Sequence, residues 1–329
     1  MSINERLALT TSENKTIPLT SKIKYLRPND SLTMCMSWKG LSSNMQDDGA
    51  AFESCAAAIK AWYSDSDPDW NGRVCLDLQN GVTLPADPMR VPNPDGPHYR
   101  RFLYRALRFS QQYDWFILSD PLQEAVKQFS AFLNDNIFVN NCPTREASSE
   151  SNNNLEHDIE MIFADENRHL LADLMHLKIP VNVYHQLPVG MFLEKKKAEN
   201  SIFTGRHSAV DLWTVCEDTL ALFELKAKNP MLGTVSELFF YANYLYDFYI
   251  DQSSSFHPQS GRNYRGYGEL LSKQSELKQV KGYILSDRRH PLLEGEKVIK
   301  VLNASNQKRS ISYGALDYNI DEVLQSGQP

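Results

Sequence analysis

The stretch HSAVDLWTV covers residues 207–215, and LALFELKAK follows at residues 220–228. Both runs are largely apolar but carry ionisable residues within them: Asp211 in the first, Glu224 and Lys226 in the second. Side chains alternate in direction along a β-strand, so Glu224 and Lys226 are expected to project from one face of their strand. The two runs therefore predict a pair of neighbouring strands that carry charges.

The ionisable residues within these apolar strands require an explanation, because charged side chains are rarely buried unless they are paired or bind a metal. A hairpin turn at Glu217-Asp218 would bring Asp211 next to the strand that carries Glu224 and Lys226. Carboxylates from two neighbouring strands suit a hard divalent cation with bound water, because such a cation prefers oxygen ligands. The alternative is a solvated hairpin face on which Glu224 and Lys226 simply pair.

The arrangement resembles the motif of the PD-(D/E)XK nuclease superfamily. That motif is an acidic residue at the start of one strand, then Glu or Asp, any residue and Lys on the next, antiparallel strand. Asp211 fills the first position and Glu224-Leu225-Lys226 fills the second, whereas Val210 stands where the family name has proline. The resemblance covers about residues 153–293. It implies an α/β fold with a restriction-endonuclease-like core, in which a mixed sheet is flanked by helices.

The segments around the hairpin predict the order of elements in such a core: helix, strand, strand, strand, helix, strand. Apolar residues at three- and four-residue steps predict a helix over residues 165–177. A strand or a pair of strands is expected within residues 179–192, a long aromatic helix over residues 233–249, and a further strand over residues 280–285.

The resemblance also implies a carboxylate from the first helix of the core. Glu166 is the expected residue, because it lies about one helix length before the first strand. Glu156 and Glu160, on a segment over residues 155–163, are alternatives. A solvated helix face is the favoured interpretation for these two.

The activity implied by the resemblance is that of a nuclease that hydrolyses phosphodiester bonds of DNA with a bound Mg²⁺ or Mn²⁺ ion. Its setting would be phage defence, restriction, recombination or repair. Asp211, Glu224 and Glu166 would hold the metal, and Lys226 would orient the attacking water or neutralise charge in the transition state. Two alternatives stay open: a catalytically inactive nuclease fold that serves as a binding or scaffolding module, and an enzyme that cleaves RNA.

Basic side chains near the motif are the expected contacts with a phosphate backbone: Lys228, Arg206, Arg262 and Arg265. The last two lie within residues 257–268, which mix Gly, Arg and Tyr and suit phosphate binding with base stacking. An ordinary exposed loop is the alternative. The net charge of −7 provides no general attraction to nucleic acid. The resemblance implies a homodimer or a protein partner, because many members of the superfamily act as dimers or within larger complexes.

The composition is that of a globular protein: of 329 residues, 42% are hydrophobic and 23% are charged. The five cysteines are widely spaced, unlike those of zinc and redox motifs. The sequence has neither the apolar core of a signal peptide nor a run of membrane-spanning length. These features predict a cytoplasmic protein with reduced cysteines and no membrane partner.

A polar segment at residues 140–154, rich in Ser and Asn, is expected to be a linker. It separates an N-terminal mixed α/β domain, residues 1–145, from the nuclease-like domain, residues 153–329. The N-terminal domain is expected to have strands at residues 32–38 and 73–78 and helices at residues 47–63, 99–113 and 120–134.

Two further segments carry predictions. Arg101, Arg105 and Arg108 share one face of the second of these helices, and a solvated, salt-bridged surface is favoured there over a nucleic-acid contact. Near the C-terminus, residues 298–302 and 309–318 predict one or two strands, followed by a frayed tail.

Overall fold

The computed structural model describes residues 3–4, 7–27, 31–66, 70–146, 154–164, 170–176, 181–203, 208–251, 253–304, 306 and 308–327, but not the side chains of residues 3–4 and 64–66. The protein is a mixed α/β protein with sheets of mixed direction and flanking helices. The predicted α/β class is confirmed.

The elements are numbered along the chain. The strands are β1 Ile3–Asn4, β2 Ala8–Thr10, β3 Thr16–Pro18, β4 Lys24–Leu26, β5 Leu32–Met36, β6 Val74–Leu78, β7 Phe116–Leu118, β8 Phe138–Asn140, β9 Tyr184–Val189, β10 Met191–Leu193, β11 Ser208–Cys216, β12 Thr219–Lys226, β13 Phe256–His257, β14 Gln279–Ser286 and β15 Ile311–Asp317. The helices are α1 Trp38–Leu41, α2 Phe52–Ser66, α3 Asp95–Gln112, α4 Asp120–Asn134, α5 Leu155–Phe163, α6 Leu170–Leu174, α7 Thr234–Tyr249, α8 Tyr267–Lys273, α9 Lys297–Ala304 and α10 Ile320–Ser326.

The chain forms two compact units, and segments of the two alternate along the sequence. Unit 1 contains Met1–Asn136, Leu232–Phe239 and His290–Arg309, and unit 2 contains Ile137–Met231, Phe240–Arg289 and Ser310–Pro329. This division differs from the predicted domains, which were continuous in sequence, because two later segments belong to unit 1.

Unit 1 contains a five-stranded sheet of order β1-β4-β5-β6-β7, in which β5, β6 and β7 are parallel. Helices α2 and α3, which the sequence predicts, connect these parallel strands. Strands β5 and β6 were also predicted, whereas β7 was not. The Phe52 ring of α2 lies 5.5 Å from the Phe102 ring of α3 and 5.8 Å from the Phe116 ring of β7. These aromatic contacts join helices and sheet in the core of the unit.

The arginine face of α3 is buried. Arg101 and Arg105 are each only 2% exposed. Arg105 donates a hydrogen bond of 2.7 Å from Nε to Oε1 of Glu53, and its Nη2 pairs with the other oxygen of the same carboxylate. Arg101 donates from Nη2 to Oδ1 of Asn44 at 3.0 Å. The predicted solvated surface is therefore wrong at these two positions, because partners distant in sequence satisfy the buried guanidinium groups.

Unit 2 contains a five-stranded sheet of order β15-β14-β12-β11-β9. Strand β11 is antiparallel to both β9 and β12, whereas β12, β14 and β15 run parallel to one another. The hairpin between β11 and β12 turns at Glu217 and Asp218, as predicted, and Glu217 adopts a φ of +53°. The predicted helix, three strands, helix and strand correspond to α6, β9, β11, β12, α7 and β14, but β10, β13 and α8 lie between them along the chain. The restriction-endonuclease-like core stays a prediction.

One face of this sheet is covered by helices of the same unit. Phe223 and Leu225 of β12 belong to a buried cluster with Ile159 of α5, Leu171 of α6 and Val323 of α10. Side chains alternate in direction along a strand, so those of Glu224 and Lys226 on β12 project from the opposite face. The charged residues of β12 therefore lie on the face away from this cluster.

Two C-terminal predictions are wrong. Residues 298–302 belong to α9, not to a strand: Val298, Ile299 and Leu302 are buried at helical spacing, which a short apolar run does not distinguish from a strand. The predicted frayed tail contains α10, whose first N–H groups donate to the side chain of Asn319.

The predicted linker is wrong at its beginning. Asn140 is 1% exposed, and its side chain accepts a hydrogen bond from the backbone N–H of Gln259 and donates to the hydroxyl groups of Tyr249 and Tyr267. Residues 147–153 of the segment lie outside the described residues. The helix predicted over residues 165–177 is confirmed over α6, and the remainder falls largely outside the described residues.

Candidate functional site

Asp211 and Glu224 lie on the adjacent strands β11 and β12, one position beyond the last pair of their antiparallel register. That pair is Leu212 with Phe223. Both residues of the pair belong to the buried cluster, so alternation directs Asp211 and Glu224 to the opposite face of the sheet. Oδ2 of Asp211 accepts a hydrogen bond of 2.9 Å from the backbone N–H of Leu225, so this carboxylate reaches the backbone next to Glu224.

Lys226 completes this group of charges. Its Nζ lies 2.6 Å from Oε1 of Glu224, and the two side chains are only 12% and 4% exposed. The solvated pair considered from the sequence is therefore wrong, because this pair is buried. A buried ion pair must satisfy its charges within the protein, and the short contact with Lys226 compensates the charge at Oε1 of Glu224.

The end of β12 beside Lys226 is fixed by hydrogen bonds. The hydroxyl of Tyr318 donates to the carbonyl oxygen of Lys226 at 3.0 Å, and Oε1 of Glu156 accepts from the N–H of Ala227 at 3.0 Å. Burial raises the pKa of Tyr318, and the carboxylates of Asp287 and Glu156 raise it further, so the hydroxyl stays protonated as a donor. These contacts hold the backbone on both sides of the lysine.

A serine that the sequence did not indicate lies beside the lysine. Ser286 of β14 pairs with Lys226 in the parallel register and is 2% exposed. Among the described residues, its hydroxyl has no hydrogen-bond partner. Its position on the neighbouring strand places a buried hydroxyl on the same face as the charged group.

Glu160 brings a second helix carboxylate towards the sheet. It is 5% exposed and accepts hydrogen bonds of 2.8 and 3.0 Å from Nε2 of Gln186, with Nδ1 of His185 at 3.4 Å. Gln186 adopts a φ of +54°, and the register pairs on either side of it are Leu187 with Val210 and His185 with Leu212. The solvated position favoured from the sequence is therefore wrong for Glu160, because polar partners on β9 compensate its burial.

The other predicted site residues are less central. Glu166 and Arg206 lie outside the described residues. Lys228 is exposed, with its backbone N–H bonded to Asp287, and Arg262 is exposed, with Nη1 3.2 Å from the Tyr264 hydroxyl. The guanidinium of Arg265 instead donates to the carbonyl oxygens of Gln186, Arg145 and Glu146, at 2.7, 3.2 and 3.4 Å.

The donor set fits a cation only with help from water or substrate. Within the described part of the chain, no group of three or more His, Cys, Asp or Glu side chains is arranged to hold a metal ion. Asp211 and Glu224 provide two carboxylates on one face. Mg²⁺ is commonly held by one or two carboxylates, with waters and phosphate oxygens in the remaining positions. The residues present therefore fit Mg²⁺ or Mn²⁺ bound in this partly solvated way and do not fit an all-protein cage.

Comparisons of the chain with models of protein families, with curated proteins and with solved structures found no match. In the described ranges, no helix is both long enough and apolar enough to cross a membrane. The resemblance to the nuclease superfamily therefore stays a prediction, and the relative positions of Asp211, Glu224 and Lys226 are the structural observations that bear on it.

Proposed function

We propose that this protein is a Mg²⁺- or Mn²⁺-dependent nuclease that hydrolyses phosphodiester bonds of DNA on a restriction-endonuclease-like core. The observation that carries the proposal is the convergence of two carboxylates and one ammonium group on one sheet face. Asp211 and Glu224 follow the last register pair of β11 and β12 on that face, and Lys226 contacts Glu224. The hydrogen bond from the N–H of Leu225 fixes the carboxylate of Asp211 against the strand that carries Glu224.

The roles of the three side chains follow from their chemistry. Asp211 and Glu224 would hold the divalent cation, which when bound lowers the pKa of coordinated water and polarises the phosphate. Lys226 would donate a hydrogen bond to the attacking water or to a phosphoryl oxygen and oppose the negative charge that develops there. The ion pair with Glu224 holds the ammonium group in place for this role. The hydrogen bond from the Tyr318 hydroxyl to the carbonyl oxygen of Lys226 holds the backbone of the lysine.

The same contacts also suit a purely structural ion pair, as in an inactive scaffolding module. The two functions differ in a direct assay. The purified chain is incubated with supercoiled plasmid, linear duplex DNA, single-stranded DNA and RNA, each with Mg²⁺, Mn²⁺ or a chelator. We expect cleavage of DNA that requires the cation. Cleavage of RNA alone would contradict the proposed substrate, and the absence of cleavage in every condition would favour the scaffolding alternative.

A further inference from the structure

A pocket of about 490 Å³ lies within unit 2 near the beginning of β11. Ala209, two residues before Asp211 on β11, lines this pocket together with its pairing partner Pro188 on β9. Gln186 of β9 also lines it. Residues two apart on a strand are separated by about 7 Å. The pocket therefore begins about one such step along β11 from Asp211.

The lining of this pocket is basic. Arg145, Lys196 and Arg265 contribute to it, and the described residues that line it include no Asp or Glu. The remaining lining side chains are small or neutral, and none of those described is aromatic. Stacking of a nucleobase requires an aromatic platform, whereas binding of an anion requires positive charge. The lining thus favours an anion over a base.

The basic groups are held in place by neutral acceptors. Lys196 donates from Nζ to the carbonyl oxygen of Cys142 at 2.6 Å, and Arg265 donates to the carbonyl oxygens of Gln186 and Arg145. These contacts orient the two cations beside the pocket.

The positive groups also act on each other. Burial lowers the pKa of Arg265, and the neighbouring charge of Arg145 lowers it further, against the opposite effect of the carboxylates of Glu146 and Glu160. Two guanidinium groups that repel each other beside one pocket are stabilised when an anion binds between them. The arrangement has the charge that a phosphate group requires.

We propose that this pocket binds a phosphate group of the substrate strand next to the phosphodiester at Asp211, Glu224 and Lys226. This inference rests on the proposed function, because the separation along β11 corresponds to about one nucleotide of an extended strand. Arg145 and Lys196 contact the phosphate, and Arg265 is a positioning residue that joins the segment at Arg145 to β9. The contact carries no sequence information, since it reads the backbone and not the bases.

Binding of DNA without cleavage tests the inference. Fluorescently labelled single-stranded and duplex oligonucleotides of one sequence are titrated with the full chain in the presence of a chelator, at several salt concentrations, and followed by anisotropy. We expect Arg145→Glu to weaken binding about tenfold and to reduce the slope of log Kd against log salt concentration by about one unit. Arg145→Gln should weaken binding in the same way but by a smaller factor. It replaces Arg145→Glu in the test if the charge reversal lowers the melting temperature.

Lys278→Glu is the matched control, because Lys278 is 78% exposed and lies beside Asp218, at the turn end of the same hairpin. It should leave Kd within about twofold of the parent, as expected for a charge outside the contact. Equal affinities of the parent and both Arg145 variants, or no binding by the parent, would overturn the pocket. If Arg145→Glu weakens binding but the parent cleaves no nucleic acid, the pocket stands and the proposed function fails.

Discussion

Lys226 and Glu224 form an ion pair within unit 2 in which Nζ lies 2.6 Å from Oε1 and the side chains are 12% and 4% exposed. When one partner of such a pair is removed, the other charge remains buried without compensation. The cost is about 3–5 kcal/mol for a fully buried pair. The residual exposure of Lys226 places the expected cost around the lower end of this range, with values below it included.

We expect Lys226→Met to lower the free energy of unfolding by about 2–4 kcal/mol, and the double variant with Glu224→Gln to lose less than the sum of the two single variants. Urea unfolding followed by circular dichroism measures both effects. Lys278→Met is the control, since its pair with Asp218 is 3.7 Å long and exposed, and it should cost less than about 1 kcal/mol. A loss at Lys226 no larger than in this control would show that the pair is not buried.

Asp211 should have separable structural and metal-binding roles. Asp211→Asn keeps an acceptor for the N–H of Leu225, whereas Asp211→Ala removes it and should cost about 1–3 kcal/mol. Both variants should lose the rise in melting temperature that Mn²⁺ produces in the parent, because a ligand that binds only the folded state stabilises it. Thermal unfolding with and without Mn²⁺ measures this rise. A Mn²⁺ effect that persists in Asp211→Asn would remove Asp211 from the metal site.

The carboxylate of Glu269 is expected to contribute to the pH dependence of the free energy of unfolding. Burial raises its pKa, but hydrogen bonds from Tyr184, Lys273 and Asn182 outweigh this effect, and the pKa lies below its usual value of 4.5. A lowered pKa in the folded state contributes stability that is present above the pKa of the unfolded state and is lost as pH falls through the folded value. The contribution of Glu269 should therefore be present above a pH of about 4.5 and be lost progressively as the pH falls below that value.

Urea midpoints at neutral and acidic pH test this prediction. The parent should lose more stability on acidification than Glu269→Gln does, because the variant has no carboxylate to protonate. Glu199→Gln is a suitable control, since Glu199 is exposed, and it should keep the pH dependence of the parent. The prediction fails if Glu269→Gln and the parent lose equal stability.

Unit 1 has its own buried ion pair. Arg105→Met would leave the carboxylate of Glu53, which is fully buried, without its guanidinium partner, and should cost about 3–5 kcal/mol. Arg90→Met provides the comparison, because Arg90 is 88% exposed in its pair with Asp87, and the expected change is below about 1 kcal/mol. Denaturant unfolding that gave similar values for both variants would contradict a structural role of Arg105.

The periodicity of apolar residues predicted strands and helices well wherever a single period was clear. The alternation of Phe223, Glu224, Leu225 and Lys226 predicted a strand with two different faces, and β12 has them. Residues 298–302 failed because a short apolar run has no clear period, and burial of Val298 and Leu302 on α9 is a tertiary effect.

The buried charges were the main features that sequence could not predict. Arg105 and Glu53 are 52 residues apart, and Glu160 and Gln186 are 26 apart, so no local pattern relates them. Charged residues at helical spacing usually indicate a solvated face, and only the fold reveals the partner that compensates burial. The sequence did not predict the position of the Ser286 hydroxyl for the same reason, because its place beside the site depends on the parallel pairing of β14 with β12.

The cleavage rate of DNA in Mg²⁺, compared between the parent and variants of the three charged residues, tests most directly whether they form one catalytic site. At a temperature where all variants are folded, Asp211→Asn, Glu224→Gln and Lys226→Met should each lower kcat by at least about a hundredfold. Glu217→Gln, on the exposed turn of the same hairpin, should cleave like the parent. Folded variants of Asp211, Glu224 and Lys226 that all cleave at the rate of the parent would contradict the proposed site.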